Sequence, residues 1–282
     1  MVSFSITSLG GTEYEPGVMV AFDLLDRIKD LIAQGLINPA TTTIRIDPIV
    51  PGVTNTVSVE TIIQECKAMG ITNFVTSIMQ SYGYLEGTPK DRGIIQALRN
   101  IGYDWDANYN RTKEGKLAHV AKLSVGQQWG AFFKSMIDKY GVNIKSCSSN
   151  NMGLEAAACL DPDIIDLVTG TSVDRTNITN ERKECQCYGN KADVLAYGDN
   201  CLSACAYCYA VQQNNNPFTY YNEDGSLKDN EYTRTRRTEI KQQEQQIIDV
   251  FLNVEGLTIT KEQKQYLADI YNCSTVIMAQ KL

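Results

Sequence analysis

The chain has 282 residues, with 26 Lys and Arg against 33 Asp and Glu, a formal net charge of −7 when its single histidine is neutral. At about 150 residues per domain this is two domains, or one barrel-sized domain with an extension. The composition, 43% hydrophobic and 21% charged, is that of a globular protein and excludes a disordered or fibrous chain. No apolar run approaches the roughly 18 residues of a membrane span, Met1–Gly10 has no basic region of a secretory signal, and the acidic balance argues against a surface given over to nucleic acid.

Val2–Leu9 alternates and is rich in Ser, Thr and β-branched residues, which predicts a strand ending at Gly10-Gly11. Val20–Gln34 sets Leu24, Leu25, Ile28, Leu31 and Ile32 on one helical face, with Gly35 as a stop. Thr42–Asp47 reads as a second strand broken by Pro48, Ser58–Met69 as a helix and Asn73–Met79 as a third strand. Tyr82, Tyr84, Tyr103, Trp105 and Tyr109 follow in a polar stretch, suited either to stacking on a flat substrate or to covering a barrel mouth. His119 is expected on a surface helix. Trp129–Tyr140 is an amphipathic helix turning Phe132, Phe133, Met136 and Ile137 inward, and Val142–Ser146 is a fourth strand that delivers Cys147.

Strands separated by helices imply parallel βα units with right-handed crossovers, and chemistry at the C-terminal strand ends. Gly10-Gly11, Asp47 and Cys147 lie at such ends. Four units are too few to close a barrel. The expected fold is therefore α/β, a partial (βα) TIM-like barrel over residues 1–175. Residues 176–216 form a cysteine-rich loop and residues 217–282 a helical C-terminal extension.

Five of the nine cysteines fall between Cys185 and Cys208. Without a secretory signal they are expected as reduced thiols in a cytoplasmic protein, available to metals. One histidine cannot build a two-His zinc site. The sharpest pattern is Cys201-Leu-Ser-Ala-Cys205-Ala-Tyr-Cys208, C-x₃-C-x₂-C with an aromatic residue before the third cysteine. Three thiolates so close in sequence can hold three irons of a [4Fe–4S] cubane and leave the fourth open for chemistry. Sulfur coordination suits zinc as well.

The motif resembles the defining one of the radical S-adenosylmethionine superfamily. Its surroundings extend the likeness: Cys185-Gln-Cys187 with Asp193 and Tyr197 ahead of it, and Tyr209-Ala210 behind. Ser3–Leu9, Glu15-Pro16-Gly17, Ile44–Gly52, Tyr140–Cys147 and Ala158-Cys159-Leu160-Asp161 extend it further. Together these are similar to an uncharacterised branch that carries its cysteine loop near the C-terminus, related to the spore photoproduct lyase group. The loop usually follows the first barrel strand, and here it comes late. The resemblance also begins in mid-family, so the first barrel strands are missing or are supplied by a second subunit or a homodimer.

The resemblance implies reductive cleavage of S-adenosylmethionine at a [4Fe–4S] cluster held by Cys201, Cys205 and Cys208, followed by hydrogen abstraction, a lyase-like reaction among the options. Tyr207 would pack near the adenine, and an electron-donor protein would be needed. A nucleic-acid or nucleotide substrate follows only by analogy, with Arg234–Arg237 the one basic strip in its favour. Cys147, Cys159, Cys185 and Cys187 are enough for a second cluster or a zinc site, or Cys147 and Cys159 are simply buried. Cys66 and Cys273 belong to the core. Arg45 and Asp47 share a strand and would either face the cofactor or fix the barrel as an ion pair. Glu13 and Glu15 would hold a cofactor amine or ribose, or sit as solvated acids in a turn. A different class is a non-enzymatic zinc or iron–sulfur interaction module, and a third is one half of a split or truncated enzyme.

Overall fold

The structure is a computed structural model that describes residues 1–158, 160–176, 203 and 205–208. Six strands and six α-helices are found among them: β1 (Val2–Ser5), α1 (Ala21–Ala33), β2 (Thr42–Ile49), α2 (Thr56–Ala68), β3 (Asn73–Ile78), α3 (Ile94–Asn100), α4 (Trp105–Asn108), β4 (Tyr109–Arg111), β5 (Leu117–Ala121), α5 (Leu123–Tyr140), β6 (Asn143–Ser146) and α6 (Pro162–Thr169). Four strands form one parallel sheet in the order β1-β2-β3-β6, and β4 and β5 make a separate antiparallel pair. The strand order advances in one direction. With right-handed crossovers, this places the connecting helices on a single face of the sheet, and α1 packs on α2 and α2 on α5.

The register gives the two faces opposite characters. Phe4, Ile44, Phe74 and Ile144 stand side by side in neighbouring strands, each at most 2% exposed, and belong to the core that includes Leu24, Leu25, Ile28 and Leu31 of α1. One residue on, Ser5, Arg45, Val75 and Lys145 are aligned in the same way. Side chains alternate across a strand, so the second face carries Ser5, Arg45, Asp47, Ser77 and Lys145. A sheet with an apolar face toward its helices and a polar face away from them has chosen where chemistry can sit.

Several boundaries differ from expectation. Strand β1 stops at Ser5, although Ile6 N still donates to Arg45 O at 2.8 Å. Strand β2 continues past Pro48 to Ile49, because the ladder skips the proline, which has no N–H, and resumes at the Ile49–Ile78 pair after a register shift. Helix α5 begins at Leu123 rather than Trp129. It buries Trp129, Gly130, Phe133 and Met136, and leaves Phe132 and Ile137 partly covered. His119 lies on β5, not on a helix, and its ring packs edge-on against Tyr82 and Tyr84 at centroid distances of 5.1 and 5.2 Å. Tyr103, Trp105 and Tyr109 are core residues, with Trp105 packed edge-on against Tyr103 and tilted against Tyr109, so these three are not a substrate platform. The parallel strands among the described residues form an open sheet of four. No helix among the described residues is long and apolar enough to cross a membrane. The expected extension over residues 217–282, with Arg234–Arg237 and Cys273, lies outside the described residues.

Candidate functional site

The polar face of the sheet ends, at the C-terminal edge, in a set of side chains that satisfy one another. Asp47 pairs with Arg45 two residues earlier on β2 and accepts a hydrogen bond from Ser77 Oγ of β3. The side chains of Arg45 and Asp47 are 13% and 16% exposed. Both expected residues are thus brought together, in the strand-bracing arrangement of an ion pair.

Glu15 is the centre of the second group. The chain leaves β1 through Thr7 and turns at Gly10-Gly11. It comes back so that Gly11 N donates to Glu15 O at 3.0 Å, with Gly10 and Glu15 in a β-bridge. Gly10 has no alternative here, since a Cβ would stand 2.1 Å from Met19 O. This return folds Glu15 inward to 1% exposure, whereas Glu13 stays exposed. Glu15 is therefore not a solvated turn acid. Its Oε1 accepts from both Thr7 Oγ1 and Tyr207 Oη, and its buried Oε2 has no hydrogen-bond partner among the described residues. Burial pushes the Glu15 carboxyl above its ordinary range, against the opposing pull of its two donors. Burial also holds the Tyr207 hydroxyl well above the usual tyrosine value, with the charges of Cys205, Glu15 and Asp47 adding to the effect.

The cysteine loop docks on this turn. Gly17 N donates to Ser203 O at 3.0 Å and Ala206 N to Tyr14 O at 2.9 Å, while Ala206 is buried to 1% exposure in the main core. Within the loop Cys208 N donates to Cys205 O at 3.0 Å, which sets the two half-buried thiols on one tight turn with Tyr207 between them. Cys147 follows β6 at the same edge of the sheet, its Sγ 3.9 Å from Ser148 Oγ. Cys201, the remaining thiol of the motif, lies outside the described residues, as do Cys159, Cys185 and Cys187. Among the described residues no three His, Cys, Asp or Glu side chains are gathered as a metal site. Cys66 is a core residue, as expected, and burial pushes its thiol up to about 12.

The sequence reading missed Thr7 and Ser77, which hold Glu15 and Asp47. It also missed Lys145, which bridges Asp161 and Glu155 at 3.4 Å each. A signal for all three was present. They fall on the polar phase of alternating strands, the phase that Arg45 and Asp47 occupy.

The chain matches a family model over residues 1–210, described as a domain of unknown function, DUF1848. No curated protein and no solved structure matches it. The matched span takes in the parallel sheet, the Glu15 turn and the whole C-x₃-C-x₂-C motif, of which Ser203, Ala206 and Tyr207 bond to that turn. The chain accordingly belongs to the DUF1848 family, a domain of unknown function.

Proposed function

We propose that the chain is a radical S-adenosylmethionine enzyme whose [4Fe–4S] cluster is held by Cys201, Cys205 and Cys208. The observation that carries the reading is the docking of Cys205–Cys208 on Glu15 at the C-terminal edge of a parallel sheet, where βα folds keep their chemistry. The donor set fits such a cluster: two thiols share one turn, the third precedes Cys205 by four residues, and Glu15, bonded to Tyr207 of that turn, keeps a buried oxygen with no partner among the described residues. When bound, the cluster and cofactor supply one-electron cleavage of a sulfonium and hydrogen-atom abstraction from substrate.

The chain's own residues have plain tasks in this reading. Glu15 Oε2 would hold the ammonium of the methionine moiety by accepting its hydrogen bond, which would compensate the burial of that oxygen. Tyr207 keeps Glu15 oriented through its hydroxyl while its ring packs against the core. The Arg45–Asp47–Ser77 group fixes the strand ends around the site, and the apolar face beneath excludes water. The single-direction strand order is that of a barrel wall. The fold in this proposal is therefore part of a TIM-like barrel, completed by further chain or by a second subunit.

The test is anaerobic reconstitution with iron and sulfide, then reduction in the presence of S-adenosylmethionine. 5′-Deoxyadenosine is expected from the native chain and none from Cys205→Ala. Stoichiometric zinc with no iron uptake would instead identify a structural metal module and overturn the reading.

A further inference from the structure

A separate concavity opens beyond β3. The segment leaving that strand passes through Ser81 and Tyr82, and between it and Lys90–Ile95 lies a cavity of about 280 Å³. Its wall is fixed by hydrogen bonds to the neighbouring strand pair. Ser81 N donates to His119 O at 3.1 Å, and Ser81 Oγ donates to Ala118 O at 2.7 Å while accepting from Gly83 N at 3.1 Å. The Tyr82 ring is held by the edge of His119. Leu85 and the buried Ile94 and Ile95 complete an apolar back. A pre-formed, mostly apolar hollow with a few polar groups at its mouth is the usual form of a ligand site.

The mouth is cationic. Asp91 spends both carboxylate oxygens on its own loop, Oδ2 accepting from Gly87 N at 3.0 Å and Oδ1 from Gly93 N at 2.8 Å. Lys90 and Arg92 flank it, and neither forms a salt bridge among the described residues. Two cations against the single Asp91 carboxylate leave the mouth with a net positive charge, a local attractive field for an anion in a chain of net charge −7. Arg92 can bind a planar or tetrahedral oxyanion through two N–H groups, and Lys90 adds a point charge. The volume is at the small end for ligand sites.

We propose that this cavity binds a small ligand bearing a phosphate or carboxylate on a compact apolar or aromatic body. The body lies against Tyr82, Leu85 and Ile95, and the anion lies between Lys90 and Arg92. The inference is independent of the cluster reading, because it needs neither iron nor cofactor.

The experiment is calorimetric titration of the full chain, without iron or S-adenosylmethionine, using phenyl phosphate, benzoate and the neutral p-cresol. At least one anion is expected to bind about tenfold or more tightly than p-cresol, and the stronger of the two identifies the head group. Lys90→Ala/Arg92→Ala should weaken that anion by a similar factor while leaving p-cresol unchanged. The same variant should melt at the native temperature, since both side chains reach the surface. No binding of either anion at millimolar concentration, equal binding of anions and p-cresol, or an unaffected double variant would each overturn the proposal.

Discussion

The hydroxyl of Tyr207 donates to the carboxylate of Glu15, two residues 192 positions apart in the sequence. The contact joins the cysteine loop to the turn after β1, beside the backbone bonds of Gly17 and Ala206. Tyr207→Phe keeps the ring and removes the donor, so its expected cost is that of one partly buried hydrogen bond, about 0.5–1.5 kcal/mol in urea unfolding. The loop should also loosen, and alkylation of Cys205 and Cys208 by iodoacetamide should accelerate in the variant. Equal alkylation rates would mean that the contact does not hold the loop.

Glu15 predicts a pH dependence of known sign. Its folded-state carboxyl titrates above the ordinary 4.5 because it is buried. The native state therefore binds that proton more tightly than the unfolded state. From about pH 4 upward the unfolded state loses its proton first, and stability falls until the folded carboxyl has also titrated. Glu15→Gln has no such proton to lose. The stability of the variant minus that of the native chain should rise from about pH 4 upward until the folded carboxyl has titrated, measured by urea unfolding at each pH. A flat or falling difference would show that Glu15 is not held in the buried, proton-retaining state.

Cys66 should behave unlike the thiols of the loop. It is fully covered in α2, and burial pushes its thiol up to about 12, so almost no thiolate exists near neutral pH. Iodoacetamide at pH 8 should leave Cys66 unmodified in the folded chain and label it fully in denaturant, as read by peptide mass mapping.

Gly130 reverses the ordinary effect of a helix glycine. Alanine normally stabilises a helix interior by about 1 kcal/mol over glycine. At Gly130 of α5, however, a Cβ would lie 1.9 Å from the carbonyl oxygen of Met152. That atom is backbone and cannot swing aside. Gly130→Ala should therefore destabilise, by about 1–3 kcal/mol as overpacking does, in thermal or urea unfolding.

Much of the sheet was legible because its strands carry opposite chemistry on their two faces. The four strands, the first two crossover helices and the core role of Cys66 follow from periodicity alone. Hidden from view were elements with weak or short patterns: α3, α4 and the β4–β5 pair, whose strands have only three and five residues. His119 looked helical because strand β5 is too short to show clear alternation, and its true setting is decided by Tyr82 and Tyr84 from elsewhere in the chain. For the site, the cysteine spacing and the Arg45–Asp47 strand end were readable. The burial of Glu15 was not, since it depends on the return at Gly10 and on Tyr207 arriving from far downstream.

That late arrival sets an order of assembly. The sheet and its first helices rest mainly on contacts between neighbouring units, whereas the Glu15–Tyr207 pairing must close a ring of nearly two hundred residues. Ring closure costs conformational entropy that local contacts do not, and long-separation contacts tend to form late. A nascent chain would thus complete its sheet with Cys205 and Cys208 still undocked, so that seating their turn on Glu15 follows the scaffold.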